Sequence, residues 1–155
     1  MLSQTAEYAL RAMVALATGE PQARTAQSLA AESQVPLDYL SKILNALGRA
    51  GLVSAQRGRG GGFQTLRPLT QMTVLEVVSA VDPIKRIHTC PLGLKAHGSS
   101  LCPLHRKLDD AARSVEEAFA ATTIASLVGV SFQEPPEPYS EPELCSQQES
   151  CNALA

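Results

Sequence analysis

Residues 57–62 read Arg-Gly-Arg-Gly-Gly-Gly. Four glycines in six positions permit the backbone angles that a hairpin tip needs and that other residues resist. Short strand candidates flank them, Leu52–Gln56 before and Phe63–Leu66 after. Upstream, from Pro36 to Ala50, the residues Leu40, Ile43, Leu44 and Leu47 fall at i, i+3, i+4 and i+7, which is one face of a helix. Pro36 suits the first turn of that helix because its missing N–H has no partner there anyway. Gly51 is placed to stop it in a left-handed cap.

Two more helices precede this pair. Thr5–Thr18 repeats apolar residues at helical spacing and ends at Gly19-Glu20-Pro21. Thr25 is a good N-cap for a short helix over Ala26–Ser33 that buries Leu29 and Ala30, and Gln34-Val35 forms the turn before Pro36. The order helix, turn, helix, glycine-tipped hairpin is that of a winged helix-turn-helix. Thr73–Val81 reads as a further short helix, 82–102 as irregular, and Pro103–Thr122 as a long helix with Leu104, Leu108, Ala111, Val115 and Phe119 along one stripe. The expected fold class is mainly α with a small β-hairpin wing and a long dimerisation helix. The expected division is a winged domain over 1–82, a cysteine loop over 83–102, the dimerisation helix and a C-terminal helix over 103–130, and an acidic, Pro-rich, disordered tail over 131–155.

The helix over 36–50 turns its apolar stripe inward and leaves Asp38, Tyr39, Ser41, Lys42 and Asn45 on the opposite face. A major groove admits one helix, and polar side chains on such a face reach base edges. Arg57 and Arg59 on the hairpin tip suit phosphate or minor-groove contacts. The net charge of -2 argues at first against a nucleic-acid partner. Its distribution reverses that reading: residues 1–67 hold seven Lys/Arg against four Asp/Glu, a balance of +3, while 131–155 hold five Glu and no Lys or Arg. Double-stranded DNA and a second copy of the chain are the expected partners, with no membrane and no small-molecule substrate. No apolar run approaches the roughly 18–20 residues of a membrane span. The N-terminus lacks a signal-peptide layout, so a cytoplasmic location with reduced thiols is expected. No Cys-x-x-Cys pair and no nucleophile–base–orienter set is present, which argues against an enzyme. A winged-helix module that binds protein rather than DNA, or one carrying a thiol switch, is the competing class.

The segments Tyr8-Ala9-Leu10-Arg11-Ala12-Met13, Leu37-Asp38-Tyr39-Leu40-Ser41-Lys42-Ile43-Leu44, Gly51-Leu52-Val53 and Arg57–Phe63 together resemble the Rrf-two family, the IscR/NsrR group of transcription regulators. The likeness continues through Thr73–Val78 and Asp82 to Thr123–Val128, so it covers about residues 1–130. It implies a homodimer on a partly palindromic operator, usually a repressor and sometimes an activator. It also implies DNA contacts from Tyr39, Ser41 and Lys42 on the helix and from Arg57, Arg59 and the wing glycines Gly60 and Gly61.

The resemblance extends to the cysteine loop. Many members of the family hold an iron–sulfur cluster on three cysteines, and Cys90 and Cys102 match the outer two. His105 matches the histidine ligand of one branch, and Glu7 the position from which another branch supplies a carboxylate across the dimer. The middle cysteine is replaced by Ala96, with His97 beside it. Three readings follow: a [2Fe–2S] cluster on Cys90, Cys102, His105 or His97, and Glu7 of a second copy; zinc on Cys90, His97, Cys102 and His105; or no metal, with the two cysteines as a thiol switch or inert. A cluster would let the chain sense iron–sulfur supply, nitric oxide or redox state. Cys145 and Cys151, in the tail, read as incidental thiols.

Overall fold

The structure, a computed structural model, describes residues 2–18, 23–58, 60–90 and 101–128. Arg59, Ala96, His97, the tail over 131–155 and its Cys145 and Cys151 lie outside the described residues. In chain order the elements are α1 (Gln4–Thr18), α2 (Ala26–Ser33), α3 (Leu37–Arg49), β1 (Val53–Gln56), β2 (Gly62–Thr65), a single 3-10 turn (Leu69–Gln71), α4 (Val74–Val81), α5 (Pro103–Ala121) and α6 (Ile124–Leu127). Each helix and strand expected from the sequence is present within one residue at either end. One difference is small: Pro36 occupies the N-cap position of α3 rather than its first turn.

The core is built around α1. Ala6, Ala9, Ala12, Met13, Val14, Ala15 and Leu16 are all buried, so this helix is enclosed on several sides. It packs on α2, α3 and α4. Four alanines among those seven let neighbouring helices approach closely, which suits a chain with no Trp and 4% aromatic residues. Leu29 of α2, the α3 stripe Leu40, Ile43, Leu44 and Leu47, and Val74, Val77 and Val78 of α4 complete the cluster.

Local chemistry explains the boundaries. Thr25 accepts from the Ser28 N–H, as an N-cap should. Thr73 and Glu76 form a full capping box on α4. Gln34, between α2 and α3, takes the left-handed conformation (φ 55°), and Val35 beside it is buried, which pins the turn. Gly51 (φ 72°) ends α3, and the Leu52 N–H donates to the Leu47 carbonyl, so β1 leaves directly from the end of that helix.

β1 and β2 pair antiparallel, with Val53 opposite Thr65 and Gln56 opposite Gly62. The sheet does not end there. Arg24 adds a bridge to Phe63, exchanging both backbone hydrogen bonds (2.9 and 2.7 Å). The Arg24 guanidinium in turn holds the Ala15 carbonyl (2.6 Å) and Glu32, so the hairpin base is tied to α1 and α2.

After α5 the chain returns to the winged domain. Val74 N–H donates to Thr122 (2.9 Å), Ile124 N–H donates to Met72 (2.8 Å), and Ile124 is fully buried. α5 itself is peripheral: only His105 on it is buried, with Cys102 at its N-cap.

Candidate functional site

α3 separates its faces cleanly. Its four buried aliphatic residues fix it to the domain, and Asp38, Tyr39, Lys42 and Asn45 are exposed on the other side. Ser41 is half-buried and its hydroxyl donates to the Leu37 carbonyl one turn back (3.0 Å), leaving the oxygen able to accept. Tyr39 is more constrained than the sequence suggested. Its hydroxyl meets the Thr5 hydroxyl at 3.0 Å and its ring stacks edge-to-face on Tyr8, centroids 5.7 Å apart. It still shows 40% of its surface, so it braces α3 against α1 while presenting an edge outward.

On the wing, Arg57 is exposed. Gly58 (φ 103°) and Gly60 (φ 82°) take conformations that strain any other residue. Gly61 is needed for a different reason: a Cβ there would lie 2.8 Å from the Gly58 carbonyl oxygen and closer still to that of Gln56. Lys42, Arg49 and Arg57 are thus exposed cations on α3 and the hairpin that follows it. An exposed helix face with cations beside it is suited to phosphate and base-edge contacts.

A second site lies where the chain enters α5. Cys102, at the N-cap, and His105, in the first turn, are both buried, and Cys90 comes in from the segment after α4. His105 Nδ1 is 3.1 Å from Cys102 Sγ and 3.5 Å from Cys90 Sγ, and the three candidate donor atoms all lie within 4.8 Å of one another. Neither cysteine is in a disulfide. Two soft thiolates and an imidazole are the donor types that iron–sulfur centres and zinc accept. Donors on one tetrahedral zinc sit about 3.5–3.8 Å apart, close to the observed spacing. The residues present therefore fit a thiophilic metal as three of the four donors that such sites take. Glu7, the expected carboxylate, lies outside this group in the same chain and pairs with Arg11 at 2.5 Å.

The side of α5 that faces the protein is distinct from most of the apolar stripe. Cys102, His105, Asp109, Ala112, Glu116 and Phe119 recur at steps of three and four and are all at least half-buried. Of the stripe, Val115 and Phe119 are half-buried, and Phe119 packs on the core, whereas Leu104 and Leu108 are 60% and 48% exposed. The inward polar positions answer to Arg86. Its Nε and Nη2 donate to the two Asp109 oxygens, both at 2.7 Å, and its Nη1 donates to Glu116 at 3.0 Å. Asp109 also accepts the Ile87 N–H at 2.9 Å. The Arg86 hydrogen bonds, then that N–H, hold the Asp109 carboxyl well below the usual carboxylate range, and the same bonds push Arg86 up. Sequence reasoning missed this group. An arginine four residues before a candidate ligand, and two acids on the same helical face as the other two, were the available signal.

Beside it a groove of about 870 Å³, lined by Ala6, Val78, Ile84, Val115 and Phe119 among others, opens between α1, α4, the segment after α4 and α5. No described helix is long and apolar enough to cross a membrane.

Comparison with known proteins agrees with this architecture. The family model described as Rrf2, iron-dependent transcriptional regulator, matches residues 2–129. A Mycobacterium tuberculosis protein, provisionally named an HTH-type transcriptional regulator, is 36% identical over 138 residues, covering 86% of this chain and 84% of its own. The HTH-type transcriptional regulator IscR of Cereibacter sphaeroides is 38% identical over 92 residues, 57% of this chain and 59% of its own. Among solved structures, CymR, the global cysteine regulator of B. subtilis, superposes with a TM-score of 0.67 at 22% identity, covering 84% of this chain and 98% of CymR, a likeness of fold. Since the match spans α1 through α6, the chain belongs to the Rrf2 family of DNA-binding transcriptional regulators, which are not enzymes.

Proposed function

We propose that this regulator binds DNA as a homodimer, setting one α3 of each copy into successive major grooves of a partly palindromic operator and blocking transcription there. Lys42 and Asn45, with the outward edges of Tyr39 and Ser41, read the groove. Arg57 and Arg59 grip the flanking backbone, and Gly60 and Gly61 bring the wing close to it. The observation that carries this reading is the division of α3 into a fully buried aliphatic stripe and an exposed polar face, next to a hairpin bearing exposed Arg57. Dimerisation is supported by Leu104 and Leu108, two large apolar side chains left exposed on α5. The winged portion up to residue 82 serves DNA, the segment over 83–102 senses, and the long helix pairs the copies; the regulator works in the cytoplasm, where its DNA is.

The sensing part rests on Cys90, Cys102 and His105, which would hold a metal in common. A [2Fe–2S] centre, completed by Glu7 of the second copy, is the arrangement the family likeness favours. Such a group, when bound, supplies a ligation state that answers to iron, nitric oxide or redox conditions. The chain's own contribution is mechanical. Cys90 belongs to the segment leaving α4, and Cys102 and His105 belong to α5, so holding them together or apart sets how α5 meets the winged domain. Half-sites lie about 34–36 Å apart per helical turn, and small changes in the spacing of the two α3 helices alter affinity strongly.

The test is selection of bound sequences from a random duplex library by anaerobically purified protein, repeated after chelation. Two dyad-related half-sites and a change in affinity on stripping are expected. A single asymmetric site refutes the dimer reading, and equal affinity for stripped and unstripped protein refutes the sensing.

A further inference from the structure

The segment between α4 and the metal-ligand candidates has no regular structure of its own over 83–90, so something else must decide where Cys90 sits. Ile84 packs against the core at one end. Beyond it, the chain is gripped at Arg86 and Ile87, and the gripping group is Asp109. That carboxylate accepts three hydrogen bonds, two from the Arg86 fork and one from the Ile87 backbone, and Glu116 takes a third nitrogen of the same guanidinium. The fork–carboxylate pair is partly sheltered, with side-chain exposures of 27% and 16%. A planar two-point contact fixes direction as well as distance.

Both flanks of this clamp lead to the donor group. Cys90 follows Ile87 by three residues, a reach of at most about 10 Å. His105 precedes Asp109 by one helical turn on the same face of α5, with Cys102 a further three residues back. The clamp therefore sets the approach of the 84–90 segment to the very turn of α5 that carries His105.

We propose that Asp109 is a positioning residue for the Cys90–Cys102–His105 group, acting through Arg86 and Ile87 to hold the three donors together before any metal arrives. This rests on reading that group as the sensing site. It assigns to Asp109 the part that outer hydrogen-bonding groups play at metal centres, whose loss typically costs 10–100-fold in metal affinity.

The test uses the full chain with Cys145→Ser and Cys151→Ser, so that only two thiols remain. Asp109→Asn and Arg86→Gln are compared with Asp110→Asn, whose carboxylate is exposed and pairs only locally with Arg113 (3.0 Å). Two quantities are read. One is the rate at which diamide links Cys90 to Cys102 in metal-free protein, followed by peptide mass spectrometry; two thiols become a disulfide as diamide takes up two hydrogens. The other is Co²⁺ affinity from the thiolate charge-transfer absorbance. Linking should slow about tenfold and cobalt should bind about tenfold more weakly in Asp109→Asn and in Arg86→Gln, with the double variant no worse than the worse single one. Asp110→Asn should match the parent in both quantities. Linking within twofold of the parent in Asp109→Asn overturns the assignment. If the parent takes up no cobalt while Asp109→Asn still slows linking, the metal reading falls and the positioning role stands.

Discussion

Gly62→Ala should detach the wing from the body of the protein. Gly62 has no left-handed backbone, so its need for glycine is steric. A Cβ at this position would stand 2.5 Å from the Arg24 carbonyl carbon and 2.8 Å from its nitrogen, and closer still to its oxygen. Backbone atoms cannot rotate away, so β2 must retreat by about 1.1 Å for the closest of these atoms to reach ordinary contact near 3.4 Å. The two Arg24–Phe63 backbone bonds, 2.9 and 2.7 Å long, would stretch to about 3.8–4.0 Å, outside hydrogen-bond range. Each is worth about 1 kcal/mol net, and the residual crowding adds about 1–2 kcal/mol, for a total of about 3–4 kcal/mol. In a folded region of this size that corresponds to a fall in Tm of about 10 °C. Gly60→Ala is the internal comparison. Nothing lies within 4 Å of its added Cβ, so only the φ of 82° is strained, at about 1 kcal/mol or some 3 °C. Thermal unfolding by circular dichroism reads both. A Gly62→Ala protein that melts within 2 °C of the parent, or no lower than Gly60→Ala, would refute the steric argument.

Leu104→Asp with Leu108→Asp should give a monomer in sedimentation velocity with an unchanged helical spectrum, because both side chains are exposed in the single chain; a persistent dimer places the interface elsewhere. Tyr39→Phe removes the hydroxyl bond to Thr5 and should lower stability by about 1 kcal/mol or less in urea unfolding. Glu76 is lowered in pKa first by its bond from Arg67 and then by the Thr73 N–H, so its contribution is complete at neutral pH and is lost as pH falls below the ordinary carboxylate value toward its own. Glu76→Ala should therefore cost about 1 kcal/mol at pH 7, where the capping box is intact, and less near pH 3, where the parent loses that contribution too; an equal cost at both values contradicts the assignment.

The regular elements were legible because each is written locally. The α3 stripe, the Thr25 and Thr73 caps and Gly51 are patterns of a few residues whose meaning does not depend on distant chain. What escaped depends on contacts between remote segments. Arg24 joining Phe63, and Thr73 meeting Thr123, are bridges with no periodic signature. The face of α5 turned to the protein is held by charges that answer to Arg86, so apolar spacing carries no sign of it. Tyr39 could be seen as exposed on α3, but its contact with Thr5 and Tyr8 required knowing how α1 crosses that helix.

The central claim is that α3 and the wing together form the DNA surface. Affinity for a 30-bp random-sequence duplex, measured across a salt series for the parent and for the triple variant Lys42→Ala, Arg57→Ala, Arg59→Ala, tests it most directly. The logarithm of the parent's binding constant should fall linearly with log salt, and the variant should bind more weakly with a slope flatter by about 0.9 for each phosphate contact removed. Equal affinity and equal slope in the two proteins would mean that DNA is bound elsewhere on the molecule.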